Sequence, residues 1–167
     1  TGPVLLSQTT DVGSYETTGE LTERLADLGA ELLIRGLPKI SAGTLQPAVQ
    51  PEAGVTYAGK ILKAEATIDW TLSADEIVRR VRAFNPWPVA QTLLQGKQFR
   101  IWRAIADDCL IHQGMPGEII ELGSRGLVVQ AGQGLLVLQE VQLPGKPRVA
   151  VADLPDAEFL PGTVLGV

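Results

Sequence analysis

A single cysteine (Cys109) and a single histidine (His112) occur in 167 residues. That scarcity excludes a disulfide framework and any Cys/His zinc site, and it leaves few side chains for nucleophilic or imidazole acid–base chemistry. Long hydrophobic runs are missing too. The most apolar stretch, 127–138, is broken by Gln and Gly and falls short of the ~18–20 residues a membrane span needs. The opening Thr1-Gly2-Pro3-Val4 has neither a basic n-region nor a small-residue cleavage site, so no secretory signal is expected. With 20% charged and 45% apolar residues, the chain is too hydrophobic for disorder and has ample material for a core. Its length bounds the answer at one domain or two small ones. The expectation is a cytoplasmic protein with no membrane segment and no metal, poorly equipped for chemistry of its own.

Positive charge is in deficit overall, with 14 basic against 19 acidic side chains, but the deficit is uneven. Residues 1–59 carry three basic and seven acidic groups, and residues 104–167 carry three and eight. Between them, residues 60–103 hold eight basic groups (Lys60, Lys63, Arg79, Arg80, Arg82, Lys97, Arg100, Arg103) against four acidic ones. Phosphate binding depends on such a local field, about which a global charge says little. Arg79, Arg80 and Arg82 also fit the solvated face of a helix.

Residues 1–8 read as a loop entering a short apolar strand at Val4, Leu5 and Leu6, and the chain starts abruptly, as though something preceded it. Thr17 and Glu20 form a capping-box signature. Leu21, Leu25, Leu28 and Leu32 follow at helical spacing. Gly29 predicts a break there, with helix resuming at Ala30 and ending near Gly43. Periodicity stops from Leu45 to Ala58, where Pro47, Pro51 and Gly54 mark an extended linker. Ser73 and Glu76 form a second capping box, opening a helix with the stripe Ile77, Val81 and Phe84 that Asn85-Pro86 ends.

The remainder predicts strands at 89–94, 98–105, 117–122, 126–130 and 135–142, punctuated by glycine turns. Phe99, Ile101 and Ile105 alternate with Arg100, Trp102 and Ala104, as in a half-buried strand. Five short strands after a helix suggest an α+β unit built on a five-stranded oligonucleotide-binding (OB-like) β-barrel. Leu154-Pro155 and Phe159-Leu160 belong to a closing segment of one helical turn. Gly132-Gln133-Gly134 is too short for a dinucleotide loop, and Asp107-Asp108 reads as a charge pair in a loop.

The stretch Arg82-Ala83-Phe84-Asn85-Pro86-Trp87-Pro88 resembles a motif of the methionyl-tRNA formyltransferase family. Residues 56–66, with Ile68-Asp69-Trp70, resemble the family's linker signature. Residues 1–5 resemble the stretch directly after its catalytic aspartate, Glu16 to Leu21 its next helix start, and Phe159-Leu160-Pro161-Gly162 its terminal turn. The resemblance implies a chain made of the truncated tail of a Rossmann-like formyltransferase domain (1–44), a linker (45–60) and a C-terminal OB-like tRNA-binding domain (61–167). It implies formyl transfer from 10-formyltetrahydrofolate to the amino group of methionyl initiator tRNA. The donor would be bound mainly by an N-terminal half holding the catalytic Asn, His and Asp, none of which is present here. This chain would hold tRNA and be inactive alone.

On that reading the tRNA contacts are Lys60, Lys63, Arg82, Lys97, Arg103, Lys146 and Arg148. Lys60 and Lys63 also fit a solvated linker. Asp156 and Glu158 stand where the family carries basic residues, which counts against a phosphate contact there. Trp70 and Trp87 are expected to pack, while Trp102, between Arg100 and Arg103, is open to stacking on a base. His112 is expected to be an ordinary solvated side chain. The Leu21/Leu25/Leu28/Leu32 face is expected to dock on the catalytic half or another chain. A sugar-nucleotide formyltransferase half and a free-standing nucleic-acid-binding barrel are the alternatives.

Overall fold

The computed structural model describes residues 2–107, 114–155 and 159–167. The chain divides into two compact units, Thr1–Lys60 and Ile61–Val167. In the first, helix α1 spans Thr18–Ser41. Its entry is the capping box: the Thr17 hydroxyl accepts from the Glu20 amide at 3.3 Å, and the Glu20 carboxylate accepts from the Thr17 amide at 2.8 Å. The expected break at Gly29 is absent. Glycine costs a helix about 1 kcal/mol, which cooperative propagation through 24 residues absorbs. Gly36 is the buried residue of α1, with Leu6 packed where a side chain would stand. Val4 forms one antiparallel bridge, to Ala48, where a short strand was expected. Arg24 ties the loop before the helix down, donating from Nε to Glu16 at 2.8 Å and from Nη2 to the Asp11 carbonyl at 2.7 Å. Leu25, Leu33, Ile34, Leu37 and Ile40 remain exposed within this unit.

The second unit opens with a 3₁₀ turn, Lys63–Ala66, followed by α2, Ala74–Ala83. Ser73 and Glu76 cap α2 as the spacing predicts, and Ile77 and Val81 bury its apolar stripe. Six strands follow: β1 Ala90–Leu94, β2 Lys97–Asp107, β3 Ile119–Gly123, β4 Gly126–Gln130, β5 Leu135–Gln142 and β6 Arg148–Ala150. They form one antiparallel sheet in the order β1-β2-β5-β4-β3, with β6 also paired to β5. α2 packs on β2 and β5. The main core gathers Trp70, Ile77, Val81, Phe99, Ile101, Ile119, Leu127, Leu136, Leu138 and Phe159. Buried Trp70 donates from its indole to the Thr92 hydroxyl at 3.0 Å, which satisfies both polar groups. Gly132 is required where its backbone meets Thr71: a Cβ there would lie 1.9 Å from the Thr71 carbonyl oxygen.

The sheet departs from the expected five-stranded barrel. It has six strands, and no ladder among the described residues joins β1 to β3. The C-terminal segment lies across both edges instead. Ile119 of β3 donates to the Thr163 carbonyl, Leu165 to the Gly117 carbonyl, and Gly166 to the Leu93 carbonyl of β1, each at 2.8 Å. A tail that satisfies two edges does the work of a closing strand without its regular register.

The alternation along β2 is also corrected. Between Ile101 and Ala104 the register shifts twice: Trp102 is an extra residue in β2, and Gln139 is the matching extra residue in β5. Inward positions therefore pass from Phe99 and Ile101 to Ala104. Ile105 packs instead against a second cluster of Val128, Leu135 and Val137. Asp107 likewise does not sit in a loop; it ends β2, is buried, and meets Arg125 Nη1 at 2.6 Å. Asp108, Cys109, His112, Asp156 and Glu158 lie outside the described residues.

Candidate nucleic-acid interface

Pleat geometry puts alternate residues of β2 on the face away from the core. Gln98, Arg100 and the bulged Trp102 share that face, and Gln91 of β1 pairs directly with Arg100. The Phe84–Pro88 segment, with cis peptide bonds at Asn85-Pro86 and Trp87-Pro88, comes down beside them. Together with Lys63 they line a groove of about 320 Å³ walled by Pro86, Trp87, Pro88, Val89, Gln91, Gln98, Arg100 and Trp102.

Trp87 is 55% exposed, so the expectation that it packs is corrected. Its neighbours in the motif explain the outcome. Phe84 faces the core, Val89 is buried with its amide bonded to the Phe84 carbonyl at 2.9 Å, and the loop between them holds Trp87 outside. Val89 itself sits at φ +71°, a conformation that β-branched residues rarely adopt.

Trp102 is the hub of the far wall. Its indole donates to Gln142 Oε1 at 3.2 Å, its carbonyl accepts from Asn85 Nδ2 at 3.1 Å, and Gln142 Nε2 donates to the Lys146 carbonyl at 3.0 Å. The Arg148 guanidinium lies over its ring, 4.7 Å from the centroid, and also pairs with Glu140.

Of the cations singled out from sequence, Lys63 lines the groove, and Arg148 adjoins it through Trp102. Lys60 ends the first unit and is exposed. Arg82 is half-buried in the last turn of α2. Lys97 is exposed at the start of β2, Arg103 is exposed beside the bulge, and Lys146 is exposed in the turn before β6. None of these five lines the groove. Sequence reasoning missed Arg100 as a site residue, along with Gln91 and Gln98. The signal was the outward register of Gln98 and Arg100 in β2, which places a charge and an amide on Trp102's strand face.

Two acidic groups of the second unit are held in their charged form by local hydrogen bonds. Asp69 is pulled below the usual carboxylate range by the Thr71 hydroxyl and amide, with Arg80 adding a smaller attraction. Glu76 is lowered chiefly by the Ser73 hydroxyl and amide, then by Arg79 and Arg80. Among the described residues no three His, Cys, Asp or Glu side chains gather as metal ligands, and no helix is long and apolar enough to cross a membrane.

The chain is similar to methionyl-tRNA formyltransferase of Xanthomonas campestris pv. campestris, with 46% identity over 155 residues, 92% of this chain and 50% of that protein. The methionyl-tRNA formyltransferase of Methylococcus capsulatus is 46% identical over 99% of this chain and 53% of its own length. The chain thus spans about half the length of the curated relatives it matches. Among solved structures, HypX from Aquifex aeolicus aligns with a TM-score of 0.70 at 18% identity, over 90% of this chain and 28% of that one. WlaRD, a sugar 3N-formyl transferase, aligns at 0.54 and 14% identity, over 79% and 46%. Both structures share the fold. Residues 60–156 match the family model described as formyl transferase, C-terminal domain, and the chain belongs to that family.

Proposed function

We propose that this chain is the tRNA-holding part of a cytoplasmic methionyl-tRNA formyltransferase. That enzyme would transfer formyl from 10-formyltetrahydrofolate to the amino group of methionine on initiator tRNA. The 46% identity to relatives bearing that name, over 92% of the chain, carries the reading. Residues 61–167 act as an open variant of an OB-like barrel, its closure completed by the tail. Residues 1–44 act as the end of a Rossmann-like catalytic domain. The exposed Leu25 and the half-buried Leu21, Leu28 and Leu32 of α1 dock on the remainder of that domain. We assign the formyl donor and the catalytic Asn, His and Asp to that remainder, so none of this chain's residues is given a chemical step.

This chain's residues bind and orient. Lys60, Lys63, Arg82, Lys97, Arg103, Lys146 and Arg148 offer cations to backbone phosphates, which fix register and carry little sequence information. Equilibrium binding of the 167-residue chain to methionyl initiator tRNA, repeated across salt, tests the reading. The logarithm of affinity should fall with the logarithm of salt at about −0.7 to −0.9 per phosphate contacted. The chain alone should show no formyl transfer. Salt-independent binding, or preference for a nucleotide-linked amino sugar over tRNA, would turn the reading toward the sugar-nucleotide enzymes.

A further inference from the structure

We infer that the Trp87–Trp102 groove holds one unpaired nucleotide of the bound RNA, its base stacked on Trp87 and its phosphate held by Lys63 and Arg100. The inference rests on the tRNA reading and adds to it a site that phosphate contacts on a duplex do not need.

Three observations carry it. First, an indole 55% exposed to water, in a unit whose other large aromatics are covered, forfeits the burial that a tryptophan otherwise gains. A planar ligand face is what such a ring fits. Second, the cations here are available. Lys63 and Arg100 have no ion-pair partner among the described residues, and the Arg100 Nε is shielded from solvent with no hydrogen-bond partner. Two cations that line one groove and have no ion partner among the described residues give it a positive local field that favours a phosphate. Third, Gln91 and Gln98 both line the groove, and the bond from Gln98 Nε2 to Gln91 Oε1 leaves the Gln91 amide protons and the Gln98 side-chain carbonyl oxygen outside that bond. A donor and an acceptor side by side suit a base edge.

The groove's volume of about 320 Å³ stands at the small end of ligand clefts, which run from about 300 to 1,000 Å³. It is large enough for one nucleotide. A base engaged in a helix cannot present its face to Trp87, so the site requires a loop, a bulge or an end.

The test uses the full chain and two RNA probes, single-stranded hexa-adenylate and a blunt RNA duplex, each competing with initiator tRNA. Hexa-adenylate should compete and quench the intrinsic tryptophan fluorescence, and the duplex should compete at least tenfold more weakly. Trp87→Ala should weaken hexa-adenylate binding about tenfold, while Trp87→Phe, which keeps a stacking face, should stay within about threefold of the parent. Because Trp87 is exposed, both variants should keep the parent's far-ultraviolet circular dichroism and urea-unfolding midpoint. If tRNA binds with the expected salt dependence but hexa-adenylate does not compete, or if Trp87→Ala binds it as tightly as the parent, the nucleotide site is overturned and the tRNA reading stands. If the parent binds neither RNA, both fall.

Discussion

The Arg148 guanidinium stacks on the Trp102 indole, 4.7 Å from its centroid, while pairing with the Glu140 carboxylate. One cation therefore serves as a lid on an aromatic ring and is partly neutralised by a neighbour. Lys63, which lines the groove beside that ring, has no ion-pair partner among the described residues.

The two should differ in how they hold RNA. Lys63→Ala is expected to flatten the salt slope of tRNA binding by about one unit. Arg148→Ala should change it by less than half as much. Glu140→Gln should raise affinity at low salt by about threefold, since a surface pair withdraws only a fraction of a charge. Arg79, exposed on α2, is the control. Filter binding across a salt series decides this, and equal slopes for Lys63→Ala and the parent would remove Lys63 from the contact set.

Glu16 is expected to make the first unit sensitive to acid. Hydrogen bonds from Arg24, then from the Gly13 amide, hold its carboxyl at about 2 against an ordinary 4.5. A depressed folded value means that the contribution is complete above about 4.5 and disappears as pH falls through about 2. Carboxyl-carbon NMR titration should find Glu16 in that low range. In Arg24→Gln it should titrate nearer 4.5. Parent and variant titrating together would dismiss the pair as a determinant.

Two glycines should respond in opposite directions. A methyl group at Gly29 meets nothing within 4 Å on the exposed side of α1, so Gly29→Ala should stabilise the helix by about 1 kcal/mol. Gly132→Ala drives a methyl into the Thr71 carbonyl and should destabilise the sheet unit by about 1–3 kcal/mol or more. Hydrogen exchange of α1 amides and urea unfolding read the two effects separately.

Arg125→Ala leaves the buried Asp107 carboxylate without the guanidinium 2.6 Å away. Arg125 is 56% exposed on its side chain, so water replaces part of what is lost, and the expected cost is about 1–2 kcal/mol. Adding Asp107→Asn should recover some of it. A double variant less stable than both single ones would mean that Asp107 acts through other partners.

Chemistry confined to a few neighbouring residues was readable before any coordinates. Both capping boxes follow from a hydroxyl and a carboxylate three residues apart, and β4 and β5 stand where glycine turns bracket apolar runs. The motif around Phe84–Pro88 carried the family, and the outward register of Arg100 carried part of the groove. Folding decided what depends on distant partners. Trp102 takes its place because its indole bonds Gln142, 40 residues on, across a register shift that β2 alone does not encode. Trp87 is exposed, though its residue type argues for burial, because Phe84 and Val89 on either side claim the core. Asp107 is buried because β2 runs longer than its alternation suggested and Arg125 meets it there. The sheet's edges are closed by residues 163–167, whose backbone bonds to β1 and β3 carry no side-chain signature at all.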